Sequence, residues 1–175
     1  SWVAREEMDT PFLLVNGDTL FESSTLAQLL ISERVYPITL AVDRKGDYDD
    51  DDMKISADGE QLNRVGKKLN MSIVNGESIG MMVFSREGAK AFVQKVENLM
   101  SSPDGLARWY LSAIDELAVT GIVGINSIQG NDWCEVDDLS DFARAEKAVK
   151  RWCGEVTTPG SQFSNPGKVL RQKVA

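Results

Sequence analysis

Pro11-Phe12-Leu13-Leu14-Val15-Asn16-Gly17-Asp18-Thr19-Leu20-Phe21 is the stretch that decides the fold. Phe12 to Val15 is a continuous apolar run of strand length, the pattern of a strand buried on both faces. Asn16-Gly17 breaks the run and leaves Asp18 just past its carboxyl end. In open α/β sheets, ligands bind in the crevice outside the carboxyl ends of strands. A carboxylate there is placed to hold a divalent cation, and Gly17 lets backbone approach a ligand closely. The alternative is a simple Asn-Gly-Asp turn in which Asp18 bonds only nearby backbone.

Downstream, Ser23 or Ser24 is suited to cap a helix carrying Leu26, Leu29 and Leu30. Ile38-Thr39-Leu40-Ala41-Val42 reads as a second buried strand, making a right-handed βαβ unit with the first. Upstream, Val3 to Met8 reads as the tail of a helix. Asp47 to Asp52 is an acidic run without the Gly and terminal Glu of an EF-hand loop, and it reads as a solvated loop. Met53–Ser56 and Leu62–Val65 flank Asp58-Gly59, a hairpin signal. Lys67 and Lys68 follow that hairpin, where one of them can meet a phosphate as a point charge; the alternative is a solvent-facing pair. Ile79–Phe84 is another strand, and Ser85 caps a helix over Arg86–Met100. A further helix over Leu106–Thr120 presents Leu106, Tyr110, Ala113, Ile114 and Leu117. Ile122–Ile128 is a short strand. The fold class is α/β, with a mixed, mostly parallel sheet and an antiparallel hairpin excursion.

The second chemical motif is Trp133-Cys134-Glu135-Val136-Asp137-Asp138, followed by an amphipathic helix over Ser140–Trp152. Trp133, Glu135 and Asp137 alternate, so on a strand they face one side. Asp138 or Ser140 is suited to cap the helix. Taken alone, Asp137 and Asp138 are as well read as capping residues. Two strand-end acids in one α/β chain shift the balance toward a divalent-metal site for phosphate chemistry. Trp109, Tyr110 and Trp133 with Glu77 and Glu135 have the composition of a box for a cationic head group, although core packing explains the aromatics equally well.

Composition narrows the chemistry. The 175 residues contain no histidine, which removes imidazole acid–base and His-metal sites. The net charge of −8 argues against a nucleic-acid groove. Cys134 and Cys153 match no zinc spacing and read as reduced thiols in a cytoplasmic protein. No apolar run approaches the ~18 residues of a membrane span. From Gly154 onward, Thr157-Thr158-Pro159-Gly160 and Asn165-Pro166-Gly167 read as a linker toward a basic segment. The expected division is one domain over residues 1–152, then a tail over 153–175 that leads toward a possible fused domain.

PFLLVNGDTLF, DDMKISADGEQLNRVGKKL, GESIGMMVFS and WCEVDDLSDFARAEKA, in this order, resemble the nucleotidyltransferase superfamily, on its phosphocholine cytidylyltransferase-like branch, from Trp2 to about Trp152. The resemblance implies a partial Rossmann-like nucleotidyltransferase fold and transfer of a nucleotidyl group, with CTP as the expected NTP. The implied acceptor is a small phosphorylated or phosphonate compound of phosphocholine or aminoalkylphosphonate type, and pyrophosphate leaves. Asp18 matches the first Mg²⁺-binding aspartate and Asp137 the second, while Glu135 matches the corresponding acid of the sugar-phosphate branch. Lys67 matches the lysine after the hairpin. Asn16, Gly17, Glu77, Gly80, Trp109, Tyr110, Trp133 and Glu135 fall where the acceptor binds. The family's Gly-rich, basic nucleotide loop has no counterpart here, so the chain is expected to be a fragment that is inactive by itself and prone to associate. Two readings compete: a sugar-1-phosphate nucleotidyltransferase, and a non-catalytic α/β binding module.

Overall fold

The computed structural model of the chain describes residues 2–32 and 35–154; the expected linker and basic tail fall almost wholly outside them. Eight strands and four α-helices alternate: β1 (Phe12–Val15), β2 (Thr19–Phe21), α1 (Ser23–Ile31), β3 (Ile38–Asp43), β4 (Lys54–Asp58), β5 (Gln61–Val65), β6 (Gly76–Phe84), α2 (Arg86–Met100), α3 (Tyr110–Ala118), β7 (Val123–Ser127), β8 (Trp133–Glu135) and α4 (Leu139–Trp152). Trp2–Glu7 and Gly105–Ala107 are short 3₁₀ turns. Among the described residues no helix is long and apolar enough to cross a membrane.

Six strands form one sheet in the order β1-β6-β3-β7-β5-β4, and β4 also pairs with the first residues of β6. The hairpin β4–β5 therefore reaches both β7 and β6, and the sheet curls back on itself. β2 and β8 make a separate two-stranded antiparallel ribbon.

The mostly parallel arrangement is corrected by this pairing. β1, β3 and β7 do point the same way, but β6 runs antiparallel between β1 and β3. Only β3–β7 is a parallel pair among the described strands. The physical reason is that all nine residues of β6 are buried. A continuous apolar run reports burial on both faces and says nothing about strand direction. For the same reason β1 and β3 are not neighbours, so the simple βαβ unit is replaced by a crossover with β6 in its middle.

The two sheet faces carry separate cores. Ile38, Leu40, Val42, Met82 and Phe84 pack against Ala89, Phe92 and Val96 of α2 and Leu111, Ile114 and Leu117 of α3. Phe12 stacks on Phe84 at a centroid separation of 4.3 Å, and Phe84 meets Phe92 in a tilted pair at 5.0 Å, contacts worth ~0.5–1.5 kcal/mol each beyond area burial. The opposite face places Ala41, Ile79, Met81 and Val83 under Leu29 of α1 and Ile128, with Trp133 packed alongside.

Local signals account for most boundaries. Ser85 caps α2 by accepting the Gly88 N–H. Gly59, with φ of 57°, makes the β4–β5 turn. Two details differ. The cap position of α1 is Glu22, without a side-chain bond, so Ser23 and Ser24 lie in the first turn. The helix expected from Leu106 begins at Tyr110 and leaves Leu106 exposed; Leu111 takes the buried place beside Ile114.

Candidate active site

The two acidic motifs meet across the β2–β8 ribbon. Thr19 is the register partner of Glu135, and Phe21 that of Trp133. Val136 donates its N–H to the Asp18 carbonyl at 3.0 Å. On the other side of Gly17, Asn16 donates its N–H to the Gly80 carbonyl at 2.8 Å, and Thr19 Oγ1 donates to the Ile79 carbonyl at 3.1 Å. Asp18 thus sits on a turn fixed at both ends to the middle of β6.

Gly80 makes that junction possible. Its φ is 71°, and a Cβ there would overlap the Asn16 side chain. β6 bulges at this point, so that Leu40 faces Met82 while Val42 faces Ser78. Asn16 in turn accepts the Tyr110 hydroxyl hydrogen at its Oδ1, 2.7 Å away.

These residues open onto a cleft of about 980 Å³. Its walls include Asn16, Asp18, Lys67, Glu77, Gly80, Trp109, Tyr110, Trp133, Glu135 and Asp137, so ten of the eleven positions singled out from sequence converge on one space. Gly17 does not line it. Its side of the turn is open, with nothing within 4 Å of where a Cβ would stand, and its φ is not positive.

Asp18 and Asp137 are exposed to the cleft and Glu135 is half-buried. Burial pushes the Glu135 carboxyl up, and the negative charges of Asp18 and Asp137 push it further; Lys67 opposes them. The Tyr110 hydroxyl is likewise raised, by burial and then by the charges of Asp18 and Glu135. Among the described residues none of the three carboxylates forms an ion pair. No group of three or more acids or cysteines there could hold a metal ion between them. Mg²⁺ usually takes only one or two carboxylates and draws its other ligands from phosphate oxygens and water. Asp18 and Asp137, exposed on the cleft, fit that smaller donor set.

Asp138 is the N-cap of α4 and leads a capping box. Its Oδ1 accepts the N–H groups of Ser140 and Asp141, while Asp141 Oδ2 accepts those of Asp137 and Asp138, both at 3.1 Å. Asp141 is ion-paired with Arg144. This network fixes the backbone of Asp137 and leaves the Asp137 carboxylate free of capping duty.

Lys67 stands on the cleft wall with its Nζ 5.3 Å from the Trp109 ring centre and 3.5 Å from the exposed Asp51 carboxylate. Lys68 is exposed and away from the cleft.

Sequence reasoning missed a buried charge. Asp52 belongs to the run read as a solvated loop, yet it is buried, and Asp49, Asp51 and Asp52 all line the cleft. The correction has a local cause. Asp49 Oδ1 accepts the N–H groups of Asp51 and Asp52, and this turn rolls Asp52 inward just before β4 starts. Lys45 Nζ lies 2.8 Å from both Asp52 Oδ2 and Glu77 Oε2. Burial raises Glu77 to about 7, helped by the neighbouring Asp52 carboxyl and only partly offset by Lys45. Burial also acts to raise Asp52, but the Lys45 ammonium and the Asp49 N–H hold it below the usual range. One ammonium thus lies between two buried acids. The position of Asp52 directly before a strand start was the one available signal; Lys45 had none.

At the level of sequence, neither a family model nor a curated protein matches the chain. Solved structures do. The inositol-1-phosphate CTP transferase of T. maritima superposes with a TM-score of 0.68 at 20% identity, over 86% of this chain and 60% of that one. The CTP:phosphocholine cytidylyltransferase of Streptococcus pneumoniae gives 0.63 at 14% identity, over 85% of this chain and 61% of that one. The UTP-bound UGPase of Acinetobacter baumannii gives 0.63 at 14% identity, over 85% and 54%. The chain spans 54% to 61% of the length of these three structures. Its fold is that of the nucleotidyltransferases.

Proposed function

We propose that this chain carries the acceptor side and the metal-binding acids of a Mg²⁺-dependent nucleotidyltransferase. The enzyme moves a nucleotidyl group, CMP in the favoured reading, from an NTP to a phosphocholine-like or aminoalkylphosphonate acceptor and releases pyrophosphate. The observation that carries the reading is the convergence of Asp18, Glu135 and Asp137, none of them in an ion pair among the described residues, on one cleft that Glu77 and Tyr110 also line. Two of the similar structures are named as CTP-using transferases acting on inositol-1-phosphate or phosphocholine, which favours CTP here. The Gly-rich phosphate loop implied by the sequence resemblance has no counterpart among these residues.

Asp18 and Asp137 are assigned to hold Mg²⁺. Bound there, the ion supplies Lewis-acid polarisation and charge neutralisation at the phosphorus under attack. The chain's own residues position the reactants. Glu77 and Tyr110 close the inner wall against which the acceptor's tail lies. Lys67 lines the cleft as a point charge for a phosphate oxygen. The acceptor oxygen is already anionic at neutral pH, so no general base is needed, consistent with the absence of histidine. Positioning and electrostatics supply the acceleration.

A sugar- or polyol-phosphate acceptor is the second reading. Lys45 favours it, because the buried acids Asp52 and Glu77 already have a cation between them. Pyrophosphate release by the full gene product decides, with Mg²⁺, each NTP and a panel of phosphocholine, 2-aminoethylphosphonate and sugar-1-phosphates. Release with one NTP–acceptor pair, lost in Asp18→Ala and Asp137→Ala, supports the transferase. A folded product that releases none with any pair leaves the non-catalytic binding module as the reading.

A further inference from the structure

Lys45 sits on the loop that follows β3. Lys45, its neighbours Arg44 and Gly46, and Asp47 are all exposed as whole residues. The loop backbone is lightly held: Arg44 N–H bonds to Asp43, and Lys45 N–H bonds to the Tyr48 hydroxyl at 3.3 Å. The side chain nevertheless turns into the cleft and ends between Asp52 and Glu77. Its side chain keeps 39% of its surface exposed, against 10% and 5% for the side chains of the two acids. The cation therefore enters from the solvent side and plugs an acidic recess.

No other described cation does this work. Lys54 is the register partner of Glu77, but its Nζ donates to the carbonyls of Lys67, at 3.0 Å, and Asp52. Glu77 Oε2 is buried and lies 2.8 Å from Lys45 Nζ, the same distance that separates Nζ from Asp52 Oδ2. The recess is thus shaped for one primary ammonium in close contact with two acids.

We infer that Lys45 is an internal stand-in for the substrate, and that the acceptor's primary ammonium group displaces it from Asp52 and Glu77. This deepens the proposed function and rests on its cationic-acceptor reading. The ligand class is a phosphate or phosphonate with a terminal –NH₃⁺ on a short alkyl chain. Such a group can make the 2.8 Å contacts that Lys45 Nζ now makes to both acids; a trimethylammonium group, which has no N–H, cannot come so close. The aromatics do not offer a free cage for the latter. Lys67 stands near the Trp109 ring, and Trp133 Nε1 is committed to Asp43 Oδ2 at 2.9 Å.

The test is calorimetric binding of 2-aminoethylphosphonate, phosphocholine and ethylphosphonate, with Mg²⁺, to the full chain and to Lys45→Met. The wild type is expected to prefer 2-aminoethylphosphonate. Lys45→Met is expected to bind it roughly tenfold tighter, the order of one partly buried charge pair, with ethylphosphonate changed less than twofold. Weaker or unchanged binding in the variant, or no binding by either protein, overturns the proposal. Should Lys45→Met not fold, ¹⁵N-lysine NMR of the wild type replaces it. The Lys45 Nζ resonance is expected to move to that of a solvated lysine with 2-aminoethylphosphonate and to stay with ethylphosphonate; a resonance that ignores both overturns the idea. Pyrophosphate release with amine-free acceptors and an unmoved Lys45 sinks the displacement while the transferase stands. Displacement without any pyrophosphate release does the reverse.

Discussion

Val136 hands its backbone N–H to the carbonyl of Asp18, and this one bond closes the circuit between two motifs at opposite ends of the chain. It holds Asp18 beside the segment that carries Glu135 and Asp137. The three carboxylates therefore repel one another in the absence of a cation; the Glu135 carboxyl is raised first by burial and then by the charges of Asp18 and Asp137. A site that is electrostatically frustrated when empty and relieved by a metal gains affinity from that frustration.

The first prediction follows from this repulsion. Asp18→Asn removes one negative charge without changing shape, so the metal-free protein is expected to melt slightly higher than wild type. Added Mg²⁺ is expected to raise the wild-type Tm and to leave that of Asp18→Asn nearly unmoved. Thermal melts with and without Mg²⁺ check both signs. A variant that melts lower than wild type without metal would show that Asp18 is a turn residue.

Gly80→Ala tests the junction under the site. The residue needs a left-handed φ of 71°, and a Cβ meets Asn16. The left-handed backbone alone costs ~1–2 kcal/mol for a non-glycine residue. The overlap adds to it, so a total loss of roughly 2–4 kcal/mol is expected. Urea unfolding of the purified variant measures it. Asn16 must also shift, so its bond to Tyr110 is expected to weaken with the same substitution.

The buried acids make stability depend on pH in a definite direction. Glu77 has a folded value of about 7 against an ordinary 4.5. Between those values the folded protein holds the proton more tightly than the unfolded chain. Its contribution therefore falls as pH rises from about 4.5 to 7 and stays low above that. Glu77→Gln removes the titration, so the variant is expected to lose less stability than wild type between pH 5 and 8. Urea midpoints at pH 5, 6, 7 and 8 give the comparison. Asp52 works oppositely: its value is depressed, so its contribution is present above its unfolded value and lost as pH falls through the folded one.

How much of this was readable in the sequence varies by element. α2 is complete from Ser85 onward, because a cap and a regular apolar stripe mark both its start and its face. The Asp58-Gly59 hairpin needed only its left-handed glycine. The direction of β6 was not readable, since burial on both faces erases the alternation that separates strand types. The ribbon β2–β8 was missed as a pairing because its three-residue strands carry no period. Asp18 and Asp137 were singled out because each lies beside a strand end, a local signal, and both line the cleft. Lys45 lies nowhere special in the sequence. Only the fold brings it to Asp52 and Glu77.

Asp141 offers the sharpest separation of structure from function. Its Oδ2 accepts the N–H groups of Asp137 and Asp138, while Asp138 caps α4 through Ser140 and Asp141. Removing the Asp138 carboxylate is thus a helix-stability change, expected to cost about 1 kcal/mol. Removing the Asp141 carboxylate frees the backbone under Asp137 while the Asp138 cap stays. Groups that orient metal-holding acids from behind typically change metal affinity by about 10–100-fold. Asp141→Ala is therefore expected to weaken Mg²⁺ binding by roughly tenfold, and Asp138→Ala to lower stability with a smaller effect on Mg²⁺. Isothermal titration with Mg²⁺ alongside urea unfolding reads the two axes separately. Equal Mg²⁺ affinity in Asp141→Ala and wild type would remove Asp137 from the metal site and leave Glu135 as the acid opposite Asp18.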